Sequence, residues 1–254
     1  MSKSTTEIQN QPERLTKRDV TKSWLQWWIL CEMSNSYERL QTLAFCASMI
    51  PVLKKLYKTK EALSAALKRH LVFFNTQGIW GGIIHGMVIA MEEQKAHGAD
   101  IPDEAVTGLK TGLIGPFAGI GDTIDWATIR PIVIALFIPM AMNGSWLGAL
   151  LPMVLFTGIT MAEGYFLWHS GYRLGRESIM KVLEGGWIQQ LITGAGVLGL
   201  FMMGGLSAQF VKVSTKVQFT VGGTQYQFQN ILDQIAPGLL PLAVVFAVYA
   251  YMQK

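Results

Sequence analysis

One stretch constrains the fold more than any other: Gly115-Pro116-Phe117-Ala118-Gly119-Ile120-Gly121-Asp122-Thr123-Ile124-Asp125-Trp126-Ala127-Thr128-Ile129-Arg130-Pro131. It lies in apolar sequence, yet it holds three glycines in seven residues, two carboxylates and a guanidinium. A plain membrane helix has no use for that mixture. Charged groups at membrane depth are costly and face a cavity or a partner. Gly-rich, broken backbone at that depth survives only where protein or a water-filled pocket satisfies its amides. The stretch therefore reads as part of a solute pathway, with Gly115, Gly119 and Gly121 allowing a hinge or a close backbone approach.

Composition supports a bilayer setting. Half of the 254 residues are hydrophobic, and only 15% are charged, against roughly 25% in an average soluble domain. From Thr111 to Gly171 the only charged residues are Asp122, Asp125, Arg130 and Glu163. The alternative is a large soluble helical domain. The net charge of +4 is concentrated in the first 72 residues, which hold 12 of the 21 Lys and Arg against 6 acids. By the positive-inside rule this points to a cytoplasmic N-terminus. The basic residues are interleaved with apolar ones rather than continuous, which argues against nucleic-acid binding. Cys31 and Cys46 sit in this front end, where a disulfide framework is not expected. No metal-ligand spacing is visible.

Along the chain, 1–14 reads as a mobile tail. Residues 15–72 read as amphipathic N-terminal helices, the first opened by Thr16 with Asp19 three residues on, as in a capping box. The Trp24, Trp27 and Trp28 face suits either core packing or a helix lying at the lipid headgroups; we expect the headgroups. Residues 73–206 form the membrane core. In it, Asn75-Thr76-Gln77 interrupts an apolar run; the three suit sugar hydroxyls or interhelical hydrogen bonds. His85 reads as structural, and Glu92-Glu93 as a solvated helix end. The apolar runs Pro131–Met142 and Leu147–Ala162 are each short of about 20 residues, so a re-entrant hairpin and two short spans both fit. Asp125 and Arg130 are expected to pair with each other or across a subunit interface. Residues 187–206 form a further apolar run rich in Gly. Residues 207–235 carry an extramembrane β-hairpin signature, with Val217, Phe219 and Val221 alternating before Gly222-Gly223, and 236–254 is a C-terminal transmembrane segment. The fold class is an all-α integral membrane protein with broken or re-entrant helices and a small β-hairpin.

The chain resembles the IID component of the mannose-family sugar phosphotransferase system. The resemblance is carried by Leu15-Thr16-Lys17-Arg18-Asp19, Tyr37-Glu38-Arg39, Arg69 to Gln77, Glu92-Glu93-Gln94, Gly115 to Asp122, and Ile231 to Gln234 followed by Pro237 to Pro241. It implies a multi-pass subunit of the bacterial inner membrane that pairs with a IIC subunit, in trimers of such pairs. Sugar crossing the pair is phosphorylated by soluble IIA and IIB proteins, so no catalytic residue, cofactor or metal is expected here. As the sugar-binding residues it suggests Asn75, Thr76, Gln77, Glu93 and Asp122. Two departures bear on substrate and topology: Gly78 stands where many relatives have Pro, and relatives commonly continue past the segment matching Pro237–Met252. The competing readings are a self-sufficient secondary transporter and a structural subunit without a sugar site.

Overall fold

The computed structural model describes residues 12–33, 36–185, 190, 193–194, 197–198, 200–201, 204–205, 211–221 and 224–253. The run 187–206 falls largely outside them. Two units are separable, Met1–Leu200 and Phe201–Lys254, and each is treated by itself.

The first unit begins with three helices, α1 (Lys17–Leu30), α2 (Thr42–Leu56) and α3 (Lys60–Arg69). Thr16 and Asp19 close the expected box: the Thr16 N–H and hydroxyl both donate to Asp19 Oδ2, at 2.9 and 2.6 Å. Asp19 also takes Lys55 from α2 at 2.9 Å, which joins the two helices. The tail reading does not extend to Glu13, whose N–H reaches the Lys55 carbonyl and whose carboxylate takes Lys58. The tryptophan face is turned into protein rather than to headgroups. Trp24 and Trp27 are buried, with Trp27 against Phe74 and His85, while Leu25 and Ile29 are left exposed. An aromatic stripe facing other aromatic rings buries more apolar surface than one facing a polar interface.

Next come α4 (Gly82–Ala96), α5 (Asp103–Gly112) and α6 (Ile114–Gly121), a π-helical segment (Asp122–Ile129), then α7 (Arg130–Met142) and α8 (Leu147–Gly185). The glycine stretch is thus helical rather than broken; what changes at Asp122 is the helical pitch. Pro131 offers no N–H, and its ring crowds the carbonyl four residues back. The turn before it widens, so that the Arg130 N–H reaches Asp125 O, five residues back. The continuous run Asp103–Met142 and the run Leu147–Glu177 are each long and apolar enough to cross a membrane, which resolves the two short apolar runs into a pair of antiparallel spans. Asn143 to Trp146 turn the chain between them, with Gly144 at φ +79°. Their outer faces expose Ile132, Leu136, Met153 and Val154.

The core forms where α4 meets α8. A Cβ on Gly86 would stand 2.1 Å from the Trp168 carbonyl oxygen, and one on Gly171 would stand 2.2 Å from that of Ile83. Only glycine permits backbones this close. His85 is sealed between them, its ring 4.0 Å from that of Phe45 and 4.5 Å from that of Trp168.

In the second unit, β1 (Gln218–Val221) and β2 (Thr224–Gln227) pair antiparallel, Phe219 opposite Tyr226. Helices α9 (Phe228–Ile235) and α10 (Leu239–Met252) follow at a bend of 83°, made by Gly238 at φ +80°. Together they are apolar enough for one broken span.

The glycine contacts give a direct test. Gly86→Ala or Gly171→Ala should destabilise the detergent-solubilised protein by about 1–3 kcal/mol, the usual range for overpacking. Gly158→Ala, inside the same helix but with nothing within 4 Å of the added Cβ, should instead stabilise it, by up to about 1 kcal/mol. Thermal melting followed by tryptophan fluorescence checks all three.

Candidate functional site

The segment leading from α3 to α4 carries Asn75, Thr76 and Gln77, and it is held on two sides. From the start of α2, Gln41 Oε1 accepts the Thr76 N–H at 3.0 Å, and Thr42 Oγ1 accepts the Phe74 N–H at 3.0 Å. From α5, Lys110 is fully buried. Its Nζ donates to the His70 and Val72 carbonyls at 3.0 and 3.3 Å and sits 4.0 Å from the centre of the Phe45 ring. A buried ammonium has three donors to satisfy. Two carbonyls and an aromatic face do so here, and the segment is fixed as a result.

The three polar residues then separate in role. Thr76 is buried, and its hydroxyl donates to the Ile114 carbonyl at 3.0 Å. Gln77 is buried too. Its Oε1 accepts the Ile79 and Trp80 N–H groups at 2.9 and 2.7 Å, and its Nε2 donates to Asp125 Oδ2 at 2.7 Å. Asn75, between Phe74 and Thr76, is exposed. Gln77 lies directly on the glycine stretch: a Cβ on Gly121 would be 2.7 Å from its Oε1. Gly119 is buried, and a Cβ on Gly115 would meet nothing within 4 Å. Asp122, one residue past Gly121, is half-buried.

Glu93 is not brought to this cluster. It lies eleven residues past Gly82, about 16 Å along the helix at 1.5 Å per residue. There it accepts the Leu15 N–H at 3.0 Å and the Tyr172 hydroxyl at 2.5 Å, and lines a polar cavity of about 310 Å³ with Arg14, His97 and Arg176. Asp125 and Arg130 do not pair. Asp125 turns to Gln77 and to Glu163 of α8, while Arg130 lies over the Trp126 ring at 5.0 Å. That ring and guanidinium line an open groove of about 300 Å³ between α7 and α8.

The chain matches the family described as PTS system mannose/fructose/sorbose family IID component over residues 14–254. The chain belongs to this family. The mannose-specific EIID component of Escherichia coli (strain K12) is 41% identical over 249 residues, covering 95% of this chain and 87% of that one. The sorbose-specific EIID component of Lacticaseibacillus casei is 39% identical, covering 95% and 87%, and the fructose permease IID component of Bacillus subtilis (strain 168) is 38% identical, covering 95% and 90%. A chain of the cryo-electron-microscopy structure of the mannose transporter ManYZ in complex with microcin E492 is similar at TM-score 0.76 and 40% identity, covering 95% of this chain and 90% of that one. This IID chain is therefore a membrane subunit of a sugar phosphotransferase system.

The IID chain also buries the acidic pair expected to be solvated. Glu92 has no exposure. Arg69 spans it with Nε on Oε1 at 2.8 Å and Nη2 on Oε2 at 2.9 Å, Tyr57 donates at 2.7 Å, and His70 Nε2 lies 3.1 Å from Oε1. Burial alone would raise the Glu92 carboxyl; the nearby His70 and Arg69 outweigh it and hold it at about 2. Burial likewise keeps His70 below its ordinary range. Sequence reading missed Lys110, Gln41 and Glu92 as parts of the scaffold. Their partners lie far away along the chain, so nothing in the local pattern marks them as buried.

The sign of the pH dependence follows. His70 is held neutral, so stability is lost as pH falls below its ordinary value of 6.5. Glu92 is held ionised, so its contribution is present above 4.5 and lost as pH falls from there toward about 2, worth about 3 kcal/mol. Glu92→Gln leaves Arg69 short of its buried partner and should cost about 3–5 kcal/mol at neutral pH. It should also flatten the acid branch below pH 4.5, as measured by melting temperature against pH.

Proposed function

We propose that the chain forms, with a IIC subunit, the path by which a hexose or related sugar crosses the bacterial inner membrane, with phosphorylation carried out by IIA and IIB proteins. The observation that carries this reading is the family match across residues 14–254, and the likeness to a chain of the ManYZ transporter supports it. The N-terminus lies in the cytoplasm, as the basic front end suggests, and the pairs assemble as trimers.

Within this reading, Asn75 and Asp122 contact the sugar. Asn75 is exposed, while its neighbours on both sides are locked by hydrogen bonds, so its amide is presented by a rigid support. Such preorganisation lowers the ordering cost of binding. Asp122 stands beside Gly121, which touches the same segment through Gln77. A carboxylate accepts two sugar hydroxyls by charge-assisted hydrogen bonds, stronger than neutral ones. Thr76 and Gln77 hold the segment in place, and Glu93 fixes the chain before α1 to the far end of α4.

Asn75→Ala, co-produced with the cognate IIC and IIAB proteins, should lower sugar uptake at least tenfold while IIC co-purifies in the usual ratio; a tenfold loss corresponds to about 1.4 kcal/mol, as for one good hydrogen bond. Normal uptake by an assembled Asn75→Ala complex would remove Asn75 from the sugar site.

A further inference from the structure

The richest unexplained feature lies behind Gln77. Asp125 is completely buried in this chain. Gln77 Nε2 occupies its Oδ2 at 2.7 Å, whereas its Oδ1 is buried and has no hydrogen-bond partner. Glu163 of α8 reaches the same carboxyl group, and its Oε2 is likewise buried without a partner. The two side chains come from spans that the glycine contacts of α4 with α8, and of Gly121 with Gln77, draw into one place.

The surroundings offer nothing to balance two negative charges. The groups that meet Asp125 are Gln77 and Trp80 from the start of α4 and Glu163 from α8. On its own helical segment, Asp122 is another acid, and Arg130 is turned onto the Trp126 ring. Among the described residues no basic side chain forms an ion pair with either carboxyl. The Trp80 indole and the Gln77 amide are neutral donors. This chain alone covers Asp125, while Glu163 is partly exposed.

Two carboxylates sharing one site each disfavour the charge on the other, and the complete burial of Asp125 adds to that cost. Asp125 Oδ1, Glu163 Oε2 and the Trp80 indole N–H are all buried without a partner, and the neutral N–H groups of Trp80 and Gln77 do not offset two negative charges, which leaves a place for one proton. We propose that Asp125 and Glu163 bind a single proton between them at membrane depth, so that the pair carries one negative charge rather than two. The proton links Asp125 Oδ1 to Glu163, while the remaining charge is steadied by the Gln77 amide on Oδ2. The pair is thus a proton-binding site directly behind the segment that presents Asn75. It is a property of this chain and does not depend on which residues touch sugar.

Infrared difference spectroscopy of the IID chain purified with its IIC partner tests this. The wild-type spectrum minus that of Glu163→Gln, at neutral pH, should show a protonated-carboxyl C=O band that the variant has lost. The variant's amide donates to Asp125 in place of the proton and leaves Asp125 ionised. Asp125→Asn should lose the same band by the converse exchange. Both substitutions conserve shape and donors, and co-purification with IIC reports that the fold is intact; should one variant fail to assemble, the other gives the same reading. Loss of one carboxyl band in either variant supports a shared proton. A difference spectrum without a carboxyl band at neutral pH shows two ionised groups and overturns it. So does a wild-type spectrum with two protonated-carboxyl bands, one lost in each single variant, since each group would then hold a proton of its own. Neither result bears on Asn75, so the sugar-site reading stands or falls separately.

Discussion

The close approach of α4 and α8 is the contact on which the rest depends. It is steric before it is energetic: with any side chain at Gly86 or Gly171, the carbonyls of Trp168 and Ile83 would be overlapped. Once the backbones are in contact, Trp168 covers His85, Glu163 comes to Asp125, and Tyr172 reaches Glu93. Membrane helices gain little from hiding apolar surface from lipid, so association rests on close packing and hydrogen bonds. Glycines that let two backbones touch supply the first, and the polar groups flanking them supply the second.

That arrangement also decides where charge goes in an apolar chain. Each buried polar group is matched to a different kind of partner. Lys110 is solvated by carbonyls and ring faces, Glu92 by a bidentate guanidinium, and Asp125 by an amide and another acid. The first two are self-consistent: donors and acceptors balance, so they stiffen the protein around them. The third is not balanced by protein groups alone. The imbalance sits within the π-helical segment, and π geometry is itself a feature that concentrates at functional positions.

The sequence conveyed much of this in advance because its strongest signals are local. The capping pair Thr16 and Asp19 and the alternation before Gly222-Gly223 each depend on neighbours in the chain, and each is found where expected. Burial was less legible. Glu92-Glu93 and the Trp24–Trp27 face look solvent- or lipid-facing from their own helices, and only Arg69, Tyr172 and Phe74, distant in sequence, turn them inward. The site shows the same division. Asn75, Thr76 and Gln77 were visible as a cluster, but which of them is locked and which is left exposed depends on Gln41, Ile114 and Asp125. The Gly-rich stretch read as broken because glycine and proline weaken helices in general; here the surrounding spans hold it helical, and the proline shows up as a change of pitch.

Gln77 is where these threads meet. Its oxygen fixes the turn that leads into α4, its nitrogen holds Asp125, and its flank fills the space left by the missing side chain of Gly121. A side chain whose oxygen and nitrogen are both engaged cannot adjust to one partner without disturbing the other. Any change in the charge on Asp125 therefore acts on Gln77 Nε2, and through its rigid amide on the N–H groups of Ile79 and Trp80 just before α4. Asn75 lies two residues away along the same clamped segment. A sugar pathway built this way carries its polar contacts on a support whose geometry answers to the protonation of groups the sugar never touches. That is the physical reason a carboxyl pair behind the site belongs to the same design as the exposed amide in front of it.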